Sequence, residues 1–316
     1  MTSPHAPEGR PWLLIEASQE GVMRFATATP SPRPRIENIR EIDIRGLTTF
    51  TDALLQFERE SGTALVGLEC AMAMAGATSG EMLSMVRSRW TITRAGLAAI
   101  FGRPVTILND VAARAWATRS GTAVIDTMRG AGTLSLNRPG RYLMIMVEEG
   151  VGAAAVDVDR DSSIRILETE AGHMDFAPSN EREAKLADAL RGDTPCVSWE
   201  RMLMLDRQDP VWGRACPEMQ EAERPRMLAA LLGRFSVNLM HAFGGWQGVM
   251  LTGTRIAQMV DGTSRANFEA SFGGRRNFSR LIIGAPVWRL DQREAVLTGA
   301  AELLARNFEL GLPEAA

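Results

Sequence analysis

Residues 105–110, VTILND, run without a break into the alanine-rich stretch VAARAWAT at 111–118. The first four residues form a short apolar run with the length of a buried strand, and the alanine-rich stretch is typical of a helix. Asn109 and Asp110 stand at the junction. A strand, a polar pair and then a helix form the layout of an active-site edge in α/β proteins. The sequence therefore predicts an α/β fold with an active site at the end of this strand.

Strand and helix patterns alternate on both sides of this segment and fall into two clusters. The pattern predicts strands over 12–17, 21–28, 64–68, 142–147, 153–158, 249–251 and 281–283, and helices over 47–60, 93–101, 181–190, 199–205, 227–243 and 293–308. We expect a smaller N-terminal α/β domain over residues 1–110, on which the C-terminal helix near 293–309 packs back. A larger α/β domain is expected over 111–316, with a cleft between the two.

The composition excludes several classes of function. Acidic residues (38) outnumber basic ones (35) in the 316-residue chain, so nucleic acid, which needs a cationic surface, is not an expected partner. The longest apolar stretch, 64–77, is interrupted by Glu69 and is shorter than the roughly 20 residues that cross a bilayer. With no membrane segment and no secretory signal, a cytoplasmic location is expected. The three cysteines fit a reducing compartment and, like the three histidines, lack zinc-ligand spacing.

Several acidic and imidazole side chains lie next to predicted turns. Asp110, at the end of a strand, is placed to act as general base toward a substrate hydroxyl, but Asn109 or Asp110 is equally suited to capping the next helix. Glu170 and His173 are two small residues apart and suited to hydrogen-bonding adjacent sugar hydroxyls, whereas a structural turn histidine is the alternative. Glu200 falls in the first turn of a predicted helix, where the helix dipole favours a carboxylate in any protein.

Several segments resemble, in the same order, motifs of the bacterial glucokinase family. EAGHMDFAP at 170–178 is similar to the family's E-G-G-H-x-D-F-A-P, and ILND at 107–110 to its strand that ends in N-D. Further matches are GE at 80–81 with Trp90, VSWER at 197–201, GRF and NL within 233–239, and GVMLTG at 248–253. These matches cover most of the chain, and their shared order argues against chance.

The resemblance implies a two-lobed actin-like, ribonuclease H-like ATPase fold with the active site in the interdomain cleft. It implies phosphorylation of the 6-hydroxyl of glucose or a related hexose, with ATP and Mg²⁺ as cofactors. It also implies a homodimer. By resemblance, the side chains that hold the hexose are Asn109, Asp110, Glu170, His173 and Glu200, with Asp110 as the catalytic base.

The phosphate-binding half departs from the family. The family's D-x-G-G-T-N corresponds to EASQEG at 16–21, and its second phosphate loop, G-T-G-L-G, to EEGVG at 148–152. A Gly-Gly pair on the nucleotide side is GT at 253–254, and an asparagine of the sugar half is Arg87. The resemblance assigns the nucleotide and phosphate region to Glu16, Ser18, Gln19, Glu149, Gly150, Gly152, Gly253 and Thr254.

The acidic substitutions in this half leave two interpretations open. A like charge at about 4 Å costs about 4 kcal/mol at an effective dielectric near 20, so carboxylates disfavour a triphosphate. Glu16 could organise magnesium in place of the missing aspartate, and Glu148 or Glu149 could bind a cation. The alternative is that Glu20, Glu148 and Glu149 are solvated charges on loops that meet no ligand. The sequence therefore predicts either a hexose kinase or a kinase-fold sugar sensor that does not use ATP. A DNA-binding repressor would need an added helix-turn-helix, which the sequence does not suggest.

Overall fold

The computed structural model describes residues 10–86, 90–273 and 279–311. The strands described are β1 (Trp12–Gln19), β2 (Val22–Ala28), β3 (Ile36–Asp43), β4 (Cys70–Met74), β5 (Met82–Ser84), β6 (Thr91–Thr93), β7 (Thr106–Asn109), β8 (Val124–Arg129), β9 (Gly140–Val147), β10 (Val151–Val158), β11 (Ile164–Thr169), β12 (Gly248–Thr252) and β13 (Val287–Asp291). The helices are α1 (Phe50–Ser61), α2 (Arg94–Phe101), α3 (Asp110–Ala117), α4 (Glu181–Arg191), α5 (Trp199–Leu203), α6 (Val211–Ala215), α7 (Glu223–Phe243), α8 (Ile256–Met259), α9 (Arg265–Ala270), α10 (Ser279–Gly284) and α11 (Ala295–Leu310).

The chain divides into two compact units. Unit 1 comprises Met1–Ala123 together with Gln292–Ala316, and unit 2 is the continuous segment Val124–Asp291. Unit 1 therefore includes α3, which lies beyond the boundary expected at 110. The reason is that α3 packs on α11 within unit 1: a Cβ on Gly299 of α11 would lie 1.7 Å from the Ala113 carbonyl oxygen of α3. Only glycine permits so close a contact between two helix backbones.

Unit 1 is built on a five-stranded sheet in the order β3-β2-β1-β4-β7. Strand β1 is antiparallel to β2 and parallel to β4. Because successive side chains of a strand face opposite sides of the sheet, Leu13 and Ile15 join the core beneath α1, whereas Trp12 meets Phe308 of α11 edge to face. Helices thus cover both faces of β1, which is buried from Trp12 to Glu16.

Unit 2 is built on a six-stranded sheet in the order β11-β10-β9-β12-β13-β8. Alternate residues of its central strands, including Ile145, Ala153 and Leu251, enter one apolar core with α5, α7 and α9. Helix α7 has 21 residues and ends at Gly244, whose left-handed backbone (φ 69°) closes the helix.

Both sheets share one connectivity. Each sheet contains an antiparallel three-stranded meander, which is β1-β2-β3 in unit 1 and β9-β10-β11 in unit 2. Next to the first strand of each meander lie two further strands that run parallel to it. These are β4 and β7 in unit 1, and β12 and β13 in unit 2. The sequence shows no internal repeat, so this duplication is visible only in the three-dimensional structure. Among the described residues, none of the helices has the length and apolar character that crossing a bilayer requires.

Two predicted strands are wrong. Residues 64–68 form a turn in which Leu65 and Leu68 are buried while Val66 is exposed, and Gly67 takes a left-handed φ of 81°, so the strand begins only at Cys70. Residues 281–283 belong to α10, with Ile282 buried between exposed Leu281 and Ile283. In the sequence these are three consecutive apolar residues, a run too short to distinguish a helix from a strand. Strands β3, β5, β6, β8, β11 and β13 were not predicted from the sequence.

Candidate functional site

Asn109 and Asp110 lie where β7 passes into α3, at the carboxyl end of a parallel strand. Both side chains are buried, at 9% and 7% exposure. Asn109 caps α3: its Oδ1 accepts from the backbone N–H groups of Val111 (2.8 Å) and Ala112 (3.4 Å), while its Nδ2 donates to the Gly76 carbonyl (3.2 Å). The capping interpretation is therefore correct for Asn109.

Asp110 is the first residue of α3, and its Oδ1 accepts from the Val111 N–H at 2.9 Å. The N-terminus of a helix carries partial positive charge, which stabilises a carboxylate in its ionised form. A general base needs a carboxyl group held in a fixed position, and the hydrogen bond to the Val111 N–H together with burial fixes that of Asp110. The position of Asp110 is thus compatible with proton abstraction from a substrate hydroxyl.

Glu16, which the sequence assigns to the phosphate region, is buried in unit 1 and has several side-chain partners. Its side chain is 3% exposed, and its Oε2 is 2.9 Å from NH1 of Arg24. Its Oε1 accepts from Ser18 Oγ (3.1 Å) and lies 3.5 Å from Gln19 Nε2. Burial raises the pKa of Glu16 above its usual range, and the charges of Arg24 and Arg114 and the Ser18 hydrogen bond oppose this rise. Glu16, Ser18 and Gln19 are therefore brought together, with Arg24 as the counter-ion.

These contacts do not fit a magnesium-organising role for Glu16. A magnesium ligand must turn a carboxylate oxygen toward the ion and its water shell, whereas both oxygens of Glu16 are engaged by side chains of unit 1. Within the described part of the chain, His, Cys, Asp and Glu side chains form no group of three or more suited to holding a metal.

A cavity of about 590 Å³ opens beside the β1–β2 turn in unit 1. Its lining includes Gln19, Glu20, Arg45 and Trp90. Arg45 is paired with Asp43 through two parallel contacts, Nε to Oδ1 at 2.9 Å and NH2 to Oδ2 at 2.5 Å. The cavity thus has no surplus of positive charge among these residues. Arg87, which replaces an asparagine of the family's sugar-binding half, lies outside the residues that the structure describes.

In unit 2 the predicted residues gather around the turn between β9 and β10. This turn, residues 148–150, is closed by a hydrogen bond from the Glu148 N–H to the Gly150 carbonyl at 3.0 Å. Glu148 is half-buried and Glu149 exposed. The N–H of Val151, the first residue of β10, donates to Glu200 Oε2 at 2.9 Å. Glu200, predicted on the sugar side, is thereby fixed against the backbone of the predicted phosphate turn.

The 170–178 segment contacts the same turn. Gly172 lies in a 3-10 turn spanning Ala171–His173, and a Cβ there would be 2.0 Å from the Val151 carbonyl oxygen. Glu170 and His173 flank this glycine and are both about half exposed, with Oε2 and Nε2 3.7 Å apart. Their polar ends thus lie side by side at the surface of unit 2, as the predicted sugar-binding pair requires.

The third contact on the turn comes from the loop after β12. A Cβ on Gly253 would be 2.3 Å from the Val147 carbonyl oxygen, which also accepts from the Arg255 N–H at 3.2 Å. Thr254 is exposed, and Gly152 is half-buried in register with Met146. Within unit 2 the predicted sugar and nucleotide residues therefore converge on one hairpin. The predicted residues of unit 1 form two separate groups within that unit: Asn109 with Asp110, and Glu16 with Ser18 and Gln19.

Arg234 of α7 holds the 170–178 segment in place, a role that sequence reasoning missed. Its NH1 donates to both Glu183 oxygens (3.0 and 2.7 Å) and to Ser179 Oγ, and its guanidinium lies 5.1 Å from the Phe176 ring and 5.2 Å from the Trp199 ring. Phe176 lies within the segment and Trp199 precedes Glu200. The GRF motif was the available signal, but spacing alone does not reveal its partners.

Comparison with solved structures gives the class of protein. The crystal structure of a glucokinase from an Antarctic psychrotroph matches with a TM-score of 0.72 at 20% identity, over 95% of this chain and 100% of that one. Glucokinase from Balamuthia mandrillaris in complex with glucose matches with a TM-score of 0.71 at 16% identity, over 94% of each chain. At these identities the matches establish the fold, which is the actin-like ATPase fold of glucokinases and related sugar kinases.

The sequence comparisons go further. The Glucokinase family model matches residues 21–204 and 213–307, and the chain belongs to this family. A glucokinase of Stenotrophomonas maltophilia (strain K279a) is 26% identical over 309 residues, which is 89% of this chain and 91% of that protein. The family assignment made from motifs is confirmed. The match begins at residue 21, just after the divergent residues 16–20.

Proposed function

We propose that this chain phosphorylates the 6-hydroxyl of a hexose, with glucose as the first candidate and ATP as the phosphoryl donor. Family membership supports the reaction class. The observation that carries the proposal is the anchoring of Glu200 and Gly172 on Val151, which holds Glu170 and His173 beside each other. A pyranose offers several adjacent hydroxyls, and fixed carboxylate and imidazole groups supply strong hydrogen bonds to them.

Asp110 is the proposed general base. As the hexose 6-oxygen attacks the γ-phosphorus of ATP, an O–P bond forms, the bond from phosphorus to the β,γ-bridging oxygen breaks, and ADP leaves. The hydroxyl proton passes to the Asp110 carboxylate, which lies at the N-terminus of α3. Catalysis of this reaction is mostly positioning of the reactants and stabilisation of charge. The position of Asp110 relative to the 6-hydroxyl is therefore expected to matter strongly for the rate.

The test is formation of hexose 6-phosphate in a coupled assay with ATP, for wild type and Asp110→Asn. We expect the rate to fall by about 10²-fold or more while calorimetry shows hexose affinity within a few-fold of wild type. Asp188→Asn on α4, which removes an exposed carboxylate paired with Arg191, is the matched control and should keep full activity. Equal rates in wild type and Asp110→Asn would contradict the proposal.

A second candidate function is hexose binding without turnover of ATP, and two observations favour it. The Glu16 carboxylate is committed to Arg24, and carboxylates occupy the two turn positions before Gly150. Titration of ATP into the hexose-bound protein distinguishes the candidates, because a ligand that binds the folded state also raises the unfolding temperature. The sensor function would be supported if calorimetry detects heat of binding for the hexose, while ATP gives no heat of binding and does not raise the unfolding temperature. In that case Glu148→Gln with Glu149→Gln should restore ATP binding if repulsion at this turn is the cause.

A further inference from the structure

A row of charged side chains crosses the first three strands of unit 1. The strand register places Glu16 of β1 directly opposite Arg24 of β2, and Arg24 directly opposite Glu41 of β3. Directly opposed residues share one face of a sheet, so the register alone forces Arg24 between two carboxylates. A third carboxylate, that of Glu294, reaches Arg24 from the residue that precedes α11.

The Arg24 guanidinium forms ion pairs with three carboxylates, two of which are also hydrogen-bonded to it. NH1 donates to Glu16 Oε2 at 2.9 Å and NH2 donates to Glu294 Oε2. Nε lies 3.2 Å from Glu41 Oε1 but makes no hydrogen bond. The Arg24 side chain is only 12% exposed and that of Glu16 only 3%. A divalent ion could reach the Glu16 carboxylate only by displacing a guanidinium that three anions hold.

The backbone of Glu294 shows how strongly this arrangement is maintained. Glu294 has a φ of 55°, a left-handed conformation that is costly for a residue with a side chain. It stands immediately before α11, where glycine would be free of that cost. The carboxylate contact with Arg24 ties the start of α11 to the β1–β2 hairpin within unit 1.

We propose that Arg24 is a permanent counter-ion of Glu16 in the β1–β2 hairpin, and that Glu16 therefore binds no divalent ion in this chain. Glu16 stands at the position where the family's aspartate would serve a metal-bound phosphate donor. The family match begins only after this stretch, which agrees with a local change of chemistry in a retained fold. The inference holds for either candidate function, because it concerns the sugar-free and nucleotide-free protein.

Calorimetric titration of Mn²⁺ into the whole chain, without hexose or nucleotide, tests the proposal. We expect identical heats for wild type, Glu16→Gln and Glu37→Gln, the last being the control, an exposed carboxylate of β3 opposite Thr27. One-to-one Mn²⁺ binding by wild type that Glu16→Gln abolishes and Glu37→Gln retains would overturn it. Because the readout is metal binding alone, absence of hexose phosphorylation has no bearing on the result.

Urea denaturation provides the second measurement. Arg24→Met removes the guanidinium and leaves the buried Glu16 carboxyl without its counter-ion, and breaking a buried ion pair in this way lowers the folding equilibrium constant by about 10²-fold or more. The double variant Glu16→Gln with Arg24→Met leaves no carboxyl group at position 16 and should recover most of that loss. Arg24→Met as stable as wild type would overturn the proposal, and so would a double variant less stable than Arg24→Met. Should Arg24→Met fail to fold, recovery in the double variant supports the inference.

Discussion

Gly172 packs so closely on Val151 that a Cβ on the glycine would lie 2.0 Å from the valine carbonyl oxygen. The same Val151 donates its N–H to Glu200. One residue of β10 thus orients both halves of the proposed hexose-binding set, the pair Glu170 and His173 on one side and Glu200 on the other.

Gly172→Ala should displace the Ala171–His173 turn, since the new methyl group has no room against a β-strand backbone. We expect a loss of about 1–3 kcal/mol in the free energy of unfolding and a larger proportional loss of hexose affinity, measured by urea denaturation and calorimetry. Gly213→Ala is the matched control, because a Cβ on Gly213 of α6 would meet nothing within 4 Å. Unchanged hexose affinity in Gly172→Ala would contradict the assignment of this turn to the sugar site.

Arg234→Lys should weaken hexose binding although the positive charge is kept. The planar guanidinium bridges Glu183 and lies near two aromatic rings at once, which an ammonium on a flexible stem does not reproduce. We expect KM for hexose to rise several-fold with a smaller change in kcat, because Arg234 positions the binding segment and touches no reacting atom. Arg234→Ala should also cost about 3–5 kcal/mol of unfolding free energy by leaving the buried Glu183 carboxylate without its counter-ion.

The control for Arg234 is Lys185→Ala on α4, which breaks the exposed pair with Glu181. Exposed pairs contribute little to stability, so neither unfolding nor KM should change. If Arg234→Lys matches wild type in KM while Arg234→Ala loses only stability, the residue has a purely structural role.

Glu16 should make the stability depend on pH in a defined direction. Its pKa in the folded protein is raised above 4.5 by burial, so the folded state holds the proton more tightly than the unfolded chain. Its contribution is therefore fully present below 4.5 and is lost as pH rises through the folded-state pKa. In urea denaturation the unfolding free energy of Glu16→Gln minus that of wild type should grow from acidic to neutral pH. A difference that shrinks would mean that attraction to Arg24 outweighs burial.

The three cysteines should react very differently in the folded protein. Cys70 and Cys216 are buried, whereas Cys196 is exposed, and the hydrogen bond to Asp175 raises the pKa of the Cys196 thiol above 9.0. Because the thiolate is the reactive form, we expect one thiol per chain to react with a chromogenic disulfide at pH 8, and Asp175→Asn to accelerate it severalfold. Asp188→Asn should leave the rate unchanged. Two or more rapidly reacting thiols would contradict the burial of Cys70 and Cys216.

Much of the site could be predicted because its motifs are local. The strand, polar pair and helix at 105–118 and the 170–178 segment each carry their signal within a few residues, and the structure places Asn109, Asp110, Glu170 and His173 at the expected turns. Asn109 even performs the helix capping that its position suggested. Whether Asp110 and His173 serve one hexose stays a prediction for the variants above.

What could not be predicted depends on contacts between distant segments. The role of Arg24 follows from the register of three strands and from Glu294, 270 residues away, and no spacing rule connects them. The extension of unit 1 to residue 123 follows from the fit of Gly299 against Ala113. Residues 64–68 misled because Leu65 and Leu68 anchor a turn with the same apolar composition as a strand.

The place of α11 in unit 1 has a consequence for biosynthesis. Residues 124–291 are contiguous and leave the ribosome as one complete folding unit, but the β1–β4 sheet face that α11 covers must wait until that whole segment has been translated. Nascent residues 10–123 thus carry an uncovered apolar sheet surface for the time needed to add about 170 amino acids, at ~5–20 per second. Chaperone protection during that interval should matter more for this half of the polypeptide than for the later one.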